Sequence, residues 1–357
     1  MAIMSTRIDD MPGSAGSVLV ATLVKKLALS PPMRNKFCRI RKWAVLVFAC
    51  SLAPMLSQCY IARFDAQDPA VSATLYATLE ALLSACVNPG KIAFTSNSTG
   101  NYDIFLMDED GSSPVQLTFD GGTDHHADFS PDGRLIVFES DRTGVQGLYL
   151  IDTNGENERP LLVDSNPNIN PVFSNDGRGI YFASPRLGGI YSIFHLEIES
   201  GLLTQVTSPG AGASDLEPAV AANSPYLFFT RTVAGADAIA RAFPDGSSPQ
   251  IIVNDGTAVN SADLAPDGSF FVYTSDGTGD NEVYRAAIDG SGSVNISQAT
   301  AQIDTGATIS PDSTEILFES TRLTGSQEIF RMNGDGSNPV PLTSDGATNT
   351  APSWSCR

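Results

Sequence analysis

Phe129-Ser130-Pro131-Asp132-Gly133 runs on into the apolar segment Ile136-Val137-Phe138, and this pairing of a corner with a strand returns along the chain. Ser, Pro and Gly at the first, second and fourth positions of the corner suit a type I turn. Variants stand at Phe173-Ser174-Asn175-Asp176-Gly177, Leu264-Ala265-Pro266-Asp267-Gly268 and Ile309-Ser310-Pro311-Asp312-Ser313. The strand ending in an aromatic recurs as Ile92-Ala93-Phe94, Ile180-Tyr181-Phe182, Leu227-Phe228-Phe229, Phe271-Val272-Tyr273 and Ile316-Leu317-Phe318, at successive spacings of 44, 44, 47, 44 and 45 residues. A second apolar run follows each, for example Ile104-Phe105-Leu106 and Leu148-Tyr149-Leu150, and ends in a glycine turn. Asp110-Gly111, Asp245-Gly246, Asp289-Gly290 and Asp335-Gly336 are the pair that tight hairpins favour, because positive φ is tolerated there. A third strand comes next, as in Val115-Gln116-Leu117-Thr118 and Gln205-Val206-Thr207. Four short strands per repeat, six times over residues 91–357, predict an all-β, six-bladed β-propeller.

The ends of the array complement each other. The first repeat starts at its second strand, Lys91 to Phe94, and the last stops after Ala351-Pro352-Ser353-Trp354-Ser355, an innermost strand with no successor. The C-terminal strand is therefore expected to complete blade one, closing the ring and removing exposed strand edges.

Of the 357 residues, 42% are hydrophobic, and 31 Gly with 22 Pro fit a turn-rich β protein. The formal charge of −19 is unevenly spread: residues 1–58 hold eight Lys/Arg against two Asp/Glu, so the rest is close to −25. Such a body repels phosphate backbones, which argues against nucleic acid and for cations or basic protein patches. Arg34, Lys36, Arg39, Arg41 and Lys42 precede the apolar run Trp43 to Leu56, the pattern of a secretory signal, with Met33 as the expected true start. Leu56-Ser57-Gln58-Cys59 resembles a bacterial lipoprotein box, in which the Cys is acylated; Gln58 stands where a small residue is usual. Residues 59–90 read as a tether and one amphipathic helix, opened by Asp68-Pro69 and carrying Leu75, Leu79, Leu82 and Leu83 on one face. After export and lipidation two cysteines remain, Cys86 and Cys356, at either end of blade one; they are expected to form a disulfide.

The Ser-Pro-Asp-Gly corner before an Ile-x-Phe strand, with Asp103-Ile104-Phe105 and Gln116-Leu117-Thr118, resembles the propeller repeats of TolB, the periplasmic protein of the Tol-Pal envelope system. The resemblance covers residues 91–357 and implies repeat type and blade number more than function, since related blades occur in peptidases and lyases. TolB carries an N-terminal α/β domain for which the leader and first blade leave no room.

The candidate site is the segment leading into each innermost strand, at one mouth of the central channel. One column reads Asp124, Asn168, Asp215, Val259, Asp304 and Asn349, and two residues later a second reads His126, Asn170, Glu217, Ser261, Gly306 and Ala351. Such a ring suits a hard cation such as Ca2+, through Asp124, Asp215, Glu217 and Asp304, or a basic peptide side chain; Asx turn capping is the structural alternative. His125-His126 beside Asp124 and Asp128 raises a zinc reading, weakened because neighbours on a strand point to opposite faces. The loops 97–103 and 276–282 resemble miniature calcium loops without the full ligand ladder. The sequence has no Gly-x-Ser-x-Gly elbow, P-loop or dinucleotide fingerprint, and its histidines are His125, His126 and His195. These features predict an exported, non-catalytic propeller of the cell envelope that binds a protein or peptide and needs no cofactor. The alternative is a carbohydrate- or polymer-active propeller with Asp215 and Glu217 as acid and base.

Overall fold

The computed structural model describes residues 45–49, 60–64, 90–233, 235–298 and 301–356. The chain divides into Met1–Glu80 and Ala81–Arg357. In the first, Val45–Ala49 pairs antiparallel with Tyr60–Phe64. The rest of the expected leader, Met33, Cys59, the helix over 68–86 and Cys86 lie outside the described residues.

The second unit is a ring of six four-stranded antiparallel sheets. The innermost strands are Asn349–Trp354 in blade one, then Asp124–Phe129, Ile169–Phe173, Ala213–Val220, Val259–Leu264 and Asp304–Ile309 in blades two to six. Each is followed outward by one of the aromatic-ended strands Lys91–Ser96, Leu135–Ser140, Gly179–Ser184, Leu227–Val233, Phe270–Ser275 and Glu315–Ser320. The closure expected from the sequence is present: Asn349 pairs with Ser96 and Trp354 with Ile92. Ser355 N donates to Lys91 O at 2.8 Å, and Lys91 N donates to Ser355 Oγ at 2.8 Å.

The core lies between blades. Strands buried on both faces read as continuous apolar runs, and alternate residues serve opposite neighbours. Ile92 and Phe94 pack with Leu317 and Ile329 of blade six. Ala93, one residue away, joins Phe129, Ile136 and Phe138 of blade two. Each fully buried Ile or Phe contributes roughly 1.5–3 kcal/mol, so no blade is stable without its neighbours. The hairpin glycines complete these joints. At Gly246, with φ +81°, a Cβ would stand 1.8 Å from Val206 O on the outermost edge of blade three. The corners are also as expected, with Gly133 N donating to Ser130 O at 2.8 Å.

Candidate functional site

All six innermost strands slip register at one place, between His125 and Asp128 in blade two and at the matching points of the others. The residue in the slip is left-handed every time: His126 (φ 52°), Asn170 (53°), Glu217 (52°), Ser261 (53°), Gly306 (56°) and Ala351 (48°). This is the second column of the sequence reading. A bulge bends its strand and re-aims one side chain, at a strain of about 1–2 kcal/mol for each non-glycine residue. Carboxylates offset part of that strain at alternate joints. Glu139 Oε2 of blade two accepts from Asn170 N of blade three at 2.6 Å. Glu217 Oε2 accepts from Ser261 N of blade five at 2.8 Å and from Thr230 Oγ1 at 2.7 Å. Glu319 Oε1 accepts from Ala351 N of blade one at 2.8 Å.

These carboxylates set the state of His126. Burial pulls the imidazole down, but Glu139, reinforced by Glu217 and Glu319, outweighs it and raises His126 to about 9. Burial lifts Glu139, yet the adjacent His126 cation holds it below the usual range, whereas Glu319 stays raised by burial. The His126 side chain keeps 46% of its surface although protein crowds it on every side. Close packing of protein around a partly exposed ring leaves the neighbouring carboxylates incompletely screened.

The first column is not an open ring, which corrects the sequence reading. Asp124, Asn168, Asp215, Asp304 and Asn349 are all fully buried. Asp124 takes Arg142 at 3.2 Å, Asp215 takes Arg231 through two bonds of 2.6 and 2.7 Å, and Arg322 and Arg186 hold Asp304 and Asn168. Asn349 donates to Glu328 and Asp345, both at 2.9 Å. Each arginine also lies over a ring of its own blade, with Arg142 4.3 Å from the centroid of Tyr149 and Arg231 5.0 Å from that of Phe229. Guanidinium groups thus occupy the place expected for Ca2+ at Asp124, Asp215 and Asp304. Among the described residues, no group of three His, Cys, Asp or Glu side chains has metal-binding geometry. The zinc pair parts as well: the His125 ring packs in a tilted arrangement on Tyr102, with centroids 4.8 Å apart, while His126 takes Glu139. In the loop 97–103, Asp103 is buried and bonded to Thr99 and Gln116 at 3.0 Å, as a hairpin requires.

At the corner side lies a cavity of about 220 Å³ to which every blade contributes. Asp128 Oδ2 accepts from Phe173 N at 2.7 Å, and Asp128 Oδ1 from Ser353 Oγ at 3.2 Å. Asp263 Oδ2 accepts from Ile309 N at 2.7 Å and Thr308 Oγ1 at 2.9 Å. Burial raises Asp128 to about 7 and Asp263 to about 6, against the pull of these bonds.

Residues 84–263 and 143–302 match the family model described as the TolB beta propeller domain. The chain belongs to the TolB beta-propeller domain family. A curated relative, the Tol-Pal system protein TolB of Geobacter sulfurreducens, is 49% identical over 45 residues, 13% of this chain and 10% of that protein. The match therefore spans a tenth of the relative's length. Among solved structures, TolB from Acinetobacter baumannii aligns with a TM-score of 0.65 at 19% identity, over 84% of this chain and 76% of that one. A putative TolB from Agrobacterium tumefaciens gives 0.58 at 16% identity, over 71% and 88%. At these identities the two structures attest the fold.

Within this TolB-domain propeller the sequence reading found both columns but missed their division of labour. The signal was present in part: Ser140-Asp141-Arg142, Ser184-Pro185-Arg186 and Ser320-Thr321-Arg322 place an Arg just beyond the second strand of blades two, three and six, and blade four carries Arg231 within that strand, whereas blade one, with Asn349, has Ser98 at this place. Blade five, with Val259, has Gly277 there. Glu139, Glu319 and Asp263 were missed as channel carboxylates because each lies in or beside an apolar strand run and reads as an ordinary solvated position, and Asp128 entered only through the zinc reading beside His125-His126.

Proposed function

We propose that the protein is an exported, non-catalytic propeller of the bacterial cell envelope that binds a segment of another envelope protein through its central channel. The observation that carries this is the bulge ring, where six left-handed residues, five of them strained, present His126, Asn170, Glu217 and Ser261 beside the Glu139 and Glu319 carboxylates at one axis. Backbone strain maintained at five of six positions around a ring is characteristic of a surface built for recognition. The name of the curated relative, a Tol-Pal system protein, supports an envelope partner. The lyase alternative finds less support: Asp215 is clamped by Arg231, and Glu217 by Thr230 and Ser261, so neither stands as a mobile acid or base. The −25 body disfavours nucleic acid.

The reading includes export on the Arg34–Lys42 and Trp43–Leu56 pattern, membrane contact through a lipid on Cys59, and a Cys86–Cys356 disulfide. Cys356 lies two residues beyond the closing strand, at the end of blade one, which supports the bridge. Mass spectrometry of the mature N-terminus and a thiol titration of the exported protein test these parts. For the central claim, a photo-cross-linking residue at Asn170 should capture a specific envelope protein, and His126→Ala should abolish the adduct. Equal capture from a probe on the outermost strand at Val294 would overturn it.

A further inference from the structure

Five aspartates of the innermost strands divide into two kinds. Asp124, Asp215 and Asp304, at the bulge-side mouth, each hold an arginine of their own blade. Asp128 and Asp263, at the corner side, are the only charged residues among the described residues that line the 220 Å³ cavity. Among the described residues they accept from backbone N–H and hydroxyl groups, and the bonds to Asp263 from Thr308 Oγ1 and Ile309 N both fall on Oδ2. Phe129, Phe173 and Trp354 share the lining.

We propose that this cavity is a second recognition site, separate from the bulge ring, that takes a primary ammonium on an alkyl chain, such as a lysine side chain of a protein partner. Two carboxylates enclosed by protein with no counter-cation among the described residues are costly, and a cation brought between them relieves that cost. Burial has already pushed both carboxyls up, to about 7 and about 6. The aromatic residues offer π faces to the alkylammonium. Asp128 belongs to blade two and Asp263 to blade five, across the ring from each other. A compact group with three divergent donors suits that layout better than a planar guanidinium fork, whose donors serve one carboxylate. Asp128 is raised further by the charge of Asp263, whereas Asp263 is raised by burial against its bonds from Ile309, Thr308 and Leu264. Because only the ionised carboxylates attract the ligand, binding strengthens as pH rises through 6 to 8.

The test is calorimetric titration of the purified full chain with n-butylammonium, with n-butanol and butyrate as controls. Saturable binding is expected at pH 8, at least about tenfold weaker at pH 5. Asp128→Asn/Asp263→Asn should abolish it, while Glu217→Gln, in the bulge ring, should leave it intact. Should the double variant fail to melt as a folded protein, Asp263→Asn alone should still weaken binding. No saturation at pH 8, equal binding of n-butanol, or loss with Glu217→Gln but not with the aspartate variants would overturn the site. Cross-linking at the bulge ring is independent of all these outcomes.

Discussion

His126 Nδ1 stands 3.2 Å from Glu139 Oε1, and Glu139 Oε2 accepts the backbone N–H of Asn170 in the next blade. One carboxylate thus sets the charge of a channel residue and fastens the joint between blades two and three. With His126 raised to about 9, the folded protein holds a proton that the unfolded chain releases near 6.5. Its stabilising contribution is fully present below about pH 6.5 and lost as pH rises through 9. The His126 ring proton, followed by NMR, should titrate near 9, and Glu139→Gln should move the midpoint down. An unmoved midpoint would show that Glu139 does not govern the imidazole.

Asp128 and Asp263 act in the same direction at lower pH. Their folded values of about 7 and about 6 exceed those of the unfolded chain, near 3.9, so the folded state binds more protons between pH 4 and 7. Stability from these groups falls as pH rises across that window. Urea midpoints for Asp128→Asn should equal or exceed those of the parent at pH 8 and lose the advantage at pH 4.5. A variant weaker at pH 8 than at pH 4.5, each relative to the parent, would contradict this.

The arginine clamps are structural, and blade five supplies the comparison, since it has Val259 and Gly277 in the places of Asp and Arg. Arg231→Met strands the fully buried Asp215 carboxylate and should cost about 3–5 kcal/mol. Asp215→Val with Arg231→Met should recover most of the loss, because an apolar pair leaves no uncompensated charge. Chemical denaturation of the single and double variants measures the difference; additive losses would reject the clamp.

Gly246 and Gly201 occupy matching hairpins, both with positive φ, but a Cβ on Gly246 would collide with Val206 O whereas one on Gly201 meets nothing within 4 Å. Gly201→Ala should cost only the left-handed strain, about 1 kcal/mol. Gly246→Ala adds separation of blades three and four and should lower the thermal midpoint clearly further. Equal losses would mean that the blade joint yields freely.

The sequence alone carried the architecture. Repeats of 44 to 47 residues, punctuated by Ser-Pro-Asp-Gly corners and Asp-Gly hairpins, reflect local turn chemistry and period-two burial, both of which are written in neighbouring residues. Ring closure was legible too, because Lys91 opens a blade without an innermost strand and Trp354 supplies one without a blade. What the tertiary structure decided was which polar residues face the axis unspent. Asp124 and His126 are two positions apart, yet a bulge between His125 and Asp128 breaks the alternation, leaving Asp124 clamped by Arg142 and His126 in the channel. Glu139 meets Asn170, and Glu319 meets Ala351, across blade joints whose partners are 31 and 32 residues apart in sequence. Those contacts, and the titration of His126, Asp128 and Asp263 that follows from them, exist only once six blades close around a common axis and exclude most of the water between them.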